Sequence, residues 1–231
     1  MIATIVKKNT KTINDKKIIA QPLDLNHEAE CFYRREVGKL GFGKRFQDAS
    51  FSTSKFDEPL VSYLQHGYFK SGAGLYICGE SASGKTSTLA YIAYSIIKSF
   101  GIAGVAGQPE LIDCWSSPSR GQIMFLSRGT MADVLDQNAT TESIRALKEI
   151  AGVQYLLIDD IDGAGLPNHA LYRLQNIIER RYQDCLTTIV TGSSSLADLQ
   201  NIPEYISIAH KLTVMCQVVE LPKAETQICL A

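Results

Sequence analysis

Several features are scarce in this sequence of 231 residues, and each scarcity excludes a class of protein. The 17 glycines and 7 prolines are too few for a fibrous or low-complexity chain. None of the 6 cysteines stands in a Cys-x-x-Cys pair, and no secretory signal opens the chain, so we expect a reduced, cytoplasmic protein. The most apolar stretch, 89–107, is interrupted by Ser95, Lys98 and Ser99, which excludes a membrane span.

The sequence also lacks an excess of charge of one sign, because its 23 Lys and Arg residues are balanced by 24 Asp and Glu residues. Overall charge therefore indicates nothing about a nucleic-acid partner. The first fifty residues are locally basic, with ten Lys and Arg against six Asp and Glu, and we expect residues 1–43 to form a basic arm or short helical extension. Its helix-like part, 26–40, is interpreted either as a solvated helix packed on the main domain or as a docking surface for a protein or nucleic acid.

Short apolar runs alternate with helix-like segments through the rest of the chain. The predicted strands are 75–78, 123–126, 155–158, 187–190 and 214–221. The predicted helices are 59–68, 85–100, 141–150, 168–182 and 204–212. This alternation predicts an α/β fold with a mainly parallel five-stranded sheet buried on both faces. Residues 107–121 break the pattern, and Trp115 within them either packs back on the domain or stacks on a base.

One segment satisfies the phosphate-binding pattern Gly-x-x-x-x-Gly-Lys-[Ser/Thr] in full, at residues 79–86. It follows an apolar strand and opens a helix, so its main-chain N–H groups and the helix N-terminus present positive partial charge to phosphates. We expect Lys85 to contact the β- and γ-phosphates and Thr86 to ligate Mg²⁺, which makes ATP and Mg²⁺ the predicted cofactors. The predicted nucleotide-binding residues are Gly79, Glu80, Ser81, Ala82, Ser83, Gly84, Lys85, Thr86 and Ser87.

Two carboxylates end the apolar strand 155–158, where a nucleotide with Mg²⁺ needs a second anchor. Asp159 is predicted to hold the Mg²⁺, directly or through water. Asp160 is predicted to orient and polarise the attacking water as general base. In an ordinary core two adjacent carboxylates would repel each other, which favours a functional role, although one of them capping a helix is the alternative.

Polar residues also follow the next strand, at 191–195. In a parallel sheet the end of this strand lies beside the phosphate loop, so Ser193 is predicted to contact the γ-phosphate or the attacking water. A second interpretation has Ser195 capping a helix that starts at Leu196, with Asp198 three residues on. The two roles are compatible, because they fall on different serines.

Four stretches of the sequence resemble the DnaC/IstB group of AAA+ ATPases, which includes bacterial and phage helicase loaders. They are residues 45–51, 75–86, 156–161 and 177–191. The resemblance implies a P-loop NTPase with a three-layer AAA+ core at 44–231, preceded by the short arm. It also implies that Lys85 and Thr86 are the Walker A pair, and that Asp159 is the Walker B residue. By the same resemblance Asp160 is the catalytic acid, and Ser193 stands where the sensor-one Asn is usual.

The resemblance implies a DNA replication factor that hydrolyses ATP and assembles into a ring or spiral. Its implied partners are a replicative helicase and single-stranded DNA. Asp160 is Glu in many relatives, and its shorter side chain implies slow hydrolysis. The segment 206–212 lacks the arginine that reaches a neighbour's ATP, and Lys211 either replaces it or is a helix-terminal lysine. The alternatives are an IstB-type transposition helper that coats duplex DNA, and an ATP-binding module without turnover.

Overall fold

The structure is a computed structural model in which residues 25–47, 58–101, 122–136, 140–163 and 165–222 are described. Five strands within these residues form one sheet. They are β1 (Gly74–Cys78), β2 (Ile123–Leu126), β3 (Tyr155–Ile158), β4 (Thr187–Gly192) and β5 (Cys216–Glu220). The strand order is β2-β3-β4-β1-β5, and every neighbouring pair is parallel. The predicted five-stranded sheet is therefore confirmed.

Helices connect these strands, as the alternating pattern predicts. They are α1 (Leu25–Lys39), α2 (Lys44–Gln47), α3 (Glu58–Gln65), α4 (Lys85–Gly101), α5 (Arg128–Asp136), α6 (Thr141–Gly152), α7 (Asn168–Gln183), α8 (Leu196–Leu199) and α9 (Ile206–Met215). The sequence did not predict α2 or α5, because helices of 4 and 9 residues are too short for a clear apolar period. The short helix α8 was predicted only through its cap at Ser195. No helix in the described parts of the chain is long and apolar enough to span a membrane.

Several of the predicted boundaries are wrong, and the helix expected over 204–212 runs over Ile206–Met215. The strand expected over 214–221 begins at Cys216, because Val214 and Met215 still belong to α9 and the side chain of Val214 faces solvent. The helix expected over 59–68 ends at Gln65, since Gly67 takes a positive φ of 65° and a 3-10 turn follows at Tyr68–Ser71. The expectations for 107–121, including Trp115, lie outside the described residues.

The sheet is buried on both faces, which makes the fold three-layered. In β3, Leu156 and Ile158 join one apolar cluster, whereas Tyr155 and Leu157 join the other. Alternate side chains of a strand point to opposite faces, so the two clusters lie on the two sides of the sheet. Helices α5, α6, α7 and α9 cover one side, and α1, α3 and α4 cover the other. Burial of each Leu or Ile contributes about 1.5–3 kcal/mol.

Helix α1 packs against α4 instead of extending away from the core. Its side chains Tyr33 and Val37 are buried in the second cluster, and the Tyr94 hydroxyl of α4 donates to Glu30. The interpretation of this helix as one packed on the main domain is confirmed. Residues 1–24 of the expected arm lie outside the described residues, and the domain division at residue 43 stays a prediction.

Arg181, in the last turn of α7, is fully buried and joins three elements. Its guanidinium donates to the carbonyl oxygens of Val153, after α6, and of Thr187, in β4, both at 2.6 Å. It also donates to the hydroxyl of Thr188 at 2.9 Å. Burial lowers the pKa of Arg181 to about 9, so the side chain stays charged at neutral pH. This residue fixes α6 and α7 to the strand that leads into the candidate site.

Candidate nucleotide-binding site

The phosphate-binding pattern lies where β1 passes into α4. β1 ends at Cys78 and α4 begins at Lys85, so residues 79–84 form the connecting loop. The predicted arrangement of strand, loop and helix is confirmed. The loop therefore stands at the carboxyl end of a central strand, with the N-terminus of a 17-residue helix behind it.

Glycine is needed at two positions of this loop. A Cβ atom on Gly79 would lie 2.8 Å from the Ser83 Oγ and 3.0 Å from the carbonyl oxygen of Leu221, so the main chain passes too close for a larger residue. Gly84 has a φ of +95°, which residues with a side chain rarely adopt, and space is open beside it. The Ser83 Oγ is buried without a hydrogen-bond partner in the described residues. This open cradle with an unpaired hydroxyl fits a ligand rich in oxygen atoms.

Lys85 folds back over the loop that precedes it. Its Nζ donates to the carbonyl oxygens of Gly79 at 2.6 Å and of Glu80 at 2.9 Å. The ammonium group thus lies over the same cradle as the unpaired Ser83 hydroxyl. A positive charge in this position suits a phosphate.

Thr86 and Asp159, which are 73 residues apart in the sequence, are in direct contact. The Thr86 Oγ1 donates to the Asp159 Oδ2 at 2.9 Å. The Thr191 Oγ1, from β4, donates to the Asp159 Oδ1 at 2.7 Å. The structure therefore brings together the two residues predicted to hold Mg²⁺, and hydroxyl and carboxylate oxygens are the ligands that Mg²⁺ takes in nucleotide sites. Their roles as metal ligands stay predictions.

Asp160 has a left-handed backbone, with a φ of 60°. Its N–H donates to the Thr191 Oγ1 at 2.8 Å, and its carboxylate lies 3.6 Å from the Arg128 guanidinium. The carboxylate occupies the space that a side chain on Gly163 would fill. The alternative of a helix cap is wrong for Asp159 and Asp160, because the residue that precedes α7 is Pro167.

Ser193 follows β4 in a loop that Asp162 holds. The Asp162 carboxylate accepts from the N–H groups of Ser193, at 2.9 Å, and Ser194, at 2.7 Å. The Tyr76 hydroxyl donates to the Ser194 carbonyl oxygen, and burial together with Asp162 raises the pKa of Tyr76, so this donor stays protonated. Ser193 itself is exposed, and its contact with a phosphate stays a prediction.

The predicted cap at Ser195 is confirmed. The Ser195 Oγ accepts from the N–H of Asp198 at 3.1 Å, and it donates to the Asp198 carboxylate at 2.7 Å. Helix α8 therefore starts where the sequence predicts. This serine has a structural role, and Ser193 is left as the candidate for contact with the ligand.

The side chain of Lys211 makes its contacts with residues of its own chain. Its Nζ lies 2.9 Å from the Glu179 carboxylate and 4.5 Å from the centre of the Tyr182 ring, both on α7. The hydrogen bond from Lys211 lowers the pKa of Glu179. A role for Lys211 towards a neighbouring subunit would require it to leave these contacts.

Three residues of the site were missed in the sequence: Arg128, Asp162 and Thr191. Thr191 precedes the predicted serine by two positions, and its place at the polar end of an apolar strand was a usable signal. Arg128 starts a helix that the sequence did not predict, so no pattern placed it beside Asp160.

Comparison with known proteins gives matches among solved structures alone. None of the family models and none of the curated proteins compared matches the sequence. A Streptococcus pyogenes serotype M3 protein described as a primosome component is 17% identical, with a TM-score of 0.57 over 82% of this chain and 97% of that one. The DnaC helicase loader is 18% identical, with a TM-score of 0.56 over 78% of this chain and 100% of that one.

A third similar structure is that of DnaA from Aquifex aeolicus bound to AMPPCP. It is 16% identical, with a TM-score of 0.51 over 71% of this chain and 44% of that one. At such identities the similarity shows the fold. The three-layer α/β core expected from the resemblance to the DnaC group is thereby confirmed.

Proposed function

We propose that this protein is an ATP-binding and ATP-hydrolysing DNA replication factor that resembles a helicase loader. The contact between Thr86 of the phosphate loop and Asp159 of β3, at 2.9 Å, is the observation that carries the proposal. It joins the two halves of a Mg²⁺-nucleotide site that lie 73 residues apart. The AMPPCP bound to a structurally similar DnaA supports a nucleotide as the ligand.

Each residue of the site then has a role that its position supports. The loop 79–84 and the N-terminus of α4 surround the phosphates, and Lys85 neutralises the β- and γ-phosphates. Thr86 and Asp159 hold Mg²⁺, which supplies positive charge to the phosphate oxygens when it is bound. Asp160 accepts the proton of the attacking water, and Ser193 donates to the γ-phosphate or to that water.

We expect hydrolysis to be slow and to depend on a partner or on DNA. Asp160 is one methylene shorter than the usual Glu, and Arg128 lies 3.6 Å from its carboxylate. The ion pair holds this short side chain towards the guanidinium, so Asp160 must leave the contact to reach an attacking water. Slow hydrolysis suits a protein that acts as a switch, because a switch must hold ATP for long periods.

The proposed partners are a replicative helicase, single-stranded DNA and further copies of this chain. A helicase as partner is supported by two of the similar structures, the DnaC helicase loader and the primosome component. A similar DnaA structure contains single-stranded DNA together with AMPPCP, which supports DNA as a ligand. Self-assembly in a ring or spiral follows from the resemblance to AAA+ ATPases.

The test is Lys85→Ala, measured by binding of a fluorescent ATP analogue and by phosphate release, both with Mg²⁺. We expect affinity to fall about tenfold to a hundredfold, the range for losing hydrogen bonds to charged groups. Lys98→Ala, an exposed lysine on the same helix, is the matched control and should bind as the wild type does. Normal binding and hydrolysis by Lys85→Ala would refute the site.

The Arg128–Asp160 pair also favours a second candidate, an ATP-binding module without turnover. In that case the carboxylate stays in its contact with the guanidinium and never reaches an attacking water. Phosphate release measured with and without single-stranded DNA separates the two functions. A rate above background under either condition supports the ATPase, and no release under both supports the binding module.

A further inference from the structure

We propose that Thr191 is a positioning residue that orients both acidic residues of the nucleotide site through a single hydroxyl. The inference rests on the proposed nucleotide function and goes beyond it, because Thr191 has no predicted contact with ATP or Mg²⁺. Its hydroxyl touches both Asp159 and the main chain of Asp160. The role therefore concerns the geometry of the ligands, and not the binding of phosphate.

The first function of the hydroxyl is to fix the rotation of the Asp159 carboxylate. Thr191 donates to the Oδ1 at 2.7 Å, on the side of β4. Thr86 donates to the Oδ2 at 2.9 Å, on the side of the phosphate loop. The bond from Thr191 remains when Thr86 exchanges its contact for a metal ion, so the carboxylate keeps its orientation. Asp159 is thus pre-oriented for Mg²⁺.

The second function is to fix the direction of Asp160. The Thr191 hydroxyl oxygen accepts a hydrogen bond from the N–H of Asp160 at 2.8 Å. The Thr191 carbonyl oxygen accepts one from the N–H of Ile161 at 2.9 Å. These two bonds hold the left-handed backbone of Asp160, which is unfavourable for a residue with a side chain. Because the backbone determines where the carboxylate lies, Thr191 also determines the distance between Asp160 and any attacking water.

Burial makes this hydroxyl effective. Thr191 is 0% exposed, so water does not compete for its donor or its acceptor site. Its single proton is committed to Asp159, which leaves a lone pair for the N–H of Asp160. The result is a continuous chain of hydrogen bonds from Thr86 through Asp159 and Thr191 to the main chain of Asp160. A change at one end of this chain is transmitted to the other.

The test replaces the hydroxyl and measures the Mg²⁺ concentration that gives half-maximal binding of a fluorescent ATP analogue. In Thr191→Val we expect this concentration to rise about tenfold, the lower end of the effect of losing a partner of a metal ligand. Binding of the same analogue in EDTA should stay at the wild-type level, because the hydrogen bonds of the Thr191 hydroxyl go to Asp159 and Asp160 and not to the phosphate loop. Thr191→Ser keeps the hydroxyl and should titrate within about twofold of the wild type.

Thr187→Val is the matched control, because Thr187 lies on the same face of the same strand and is equally buried. Its hydroxyl donates to the carbonyl oxygen of Phe69 at 2.6 Å, away from the acidic residues. This variant should lose stability without a change in the Mg²⁺ titration. Thr191→Ala removes the same hydroxyl without placing a methyl group against the carboxylate, and it replaces Thr191→Val should that variant not fold.

The outcomes distinguish this inference from the proposed function. Wild-type protein without Mg²⁺-dependent nucleotide binding would overturn the nucleotide function and the inference with it. Wild-type binding together with an unchanged titration in Thr191→Val or Thr191→Ala would overturn the inference alone. A shift in Thr187→Val as large as that in Thr191→Val would also overturn it, because the effect would then follow from strand stability.

Discussion

At the scale of single residues, the pair formed by Arg128 and Asp160 determines where the carboxylate of the candidate general base lies. The two side chains are 3.6 Å apart, and Arg128 is 62% exposed, so solvent screens the pair. Such a pair holds the carboxylate in one direction without excluding water from it. Asp160 can therefore still act on water, but its side chain has to turn from the guanidinium to do so.

We predict that Arg128→Ala raises the rate of ATP hydrolysis by about twofold to fivefold, in line with an exposed ion pair that contributes at most about 1 kcal/mol. The reason is that the Asp160 carboxylate becomes free to turn towards the attacking water, and the measurement is steady-state phosphate release with saturating Mg²⁺-ATP. Arg145→Ala is the control, since Arg145 forms an exposed ion pair with Glu149 on α6 at 3.0 Å. A slower rate in Arg128→Ala would mean that the guanidinium assists the reaction.

Sequence reasoning identifies the residues of the site that belong to a local pattern. Lys85, Thr86 and Asp159 were predicted because a motif or the end of an apolar strand places them. Arg128 and Thr191 were missed because their importance depends on which strands become neighbours. β3 pairs with β4, which puts Thr191 beside Asp159, and no local pattern gives that pairing.

At the scale of secondary-structure elements, the buried Arg181 joins α6, α7 and β4. Its guanidinium donates to the carbonyl oxygen of Val153, which follows α6, and to that of Thr187, which lies in β4. Both residues are buried. A buried carbonyl without a donor costs about 1–3 kcal/mol. The position of β4, and with it that of Thr191, therefore depends on a side chain that lies at the opposite end of the strand.

We predict that Arg181→Met lowers the free energy of unfolding by about 3 kcal/mol or more, because several buried carbonyls lose their donor together. Urea denaturation followed by circular dichroism measures this change. Arg180→Met is the matched control, because Arg180 precedes Arg181 on α7 and is exposed. It should change the stability by no more than about 0.5 kcal/mol. Equal effects of the two substitutions would contradict the bridging role of Arg181.

At the scale of the whole molecule, the alternation of strands and helices is sufficient to predict the layered fold. Runs such as 155–158 are apolar at every position because the sheet is covered on both faces, and this makes them visible in the sequence. The packing of α1 on α4 was one of two interpretations, because a helix with many charges gives no sign of its partner. Among the described side chains of α1, Tyr33 and Val37 are the buried apolar ones, and they are few among charged neighbours.

The three layers place the phosphate loop, the end of β3 and the end of β4 at one edge of the sheet. β4 lies between β3 and β1 in the strand order, so the loop after β1 and Asp159 after β3 stand on either side of Thr191. Strand order thus explains why residues from three distant parts of the sequence meet. A site that spans three strands requires the whole fold, and no isolated segment of the chain would retain it.

The most direct test of the nucleotide site is calorimetry of ATP binding with Mg²⁺ and with EDTA, for the wild type and for Asp159→Asn. We predict that Mg²⁺ tightens binding to the wild type, and that Asp159→Asn, which keeps the shape and loses the charge, reduces this gain about tenfold or more. Asp133→Asn, an exposed residue of α5, should keep the full gain. An undiminished gain in Asp159→Asn, or no binding of Mg²⁺-ATP to the folded wild type, would contradict the shared Mg²⁺-nucleotide site.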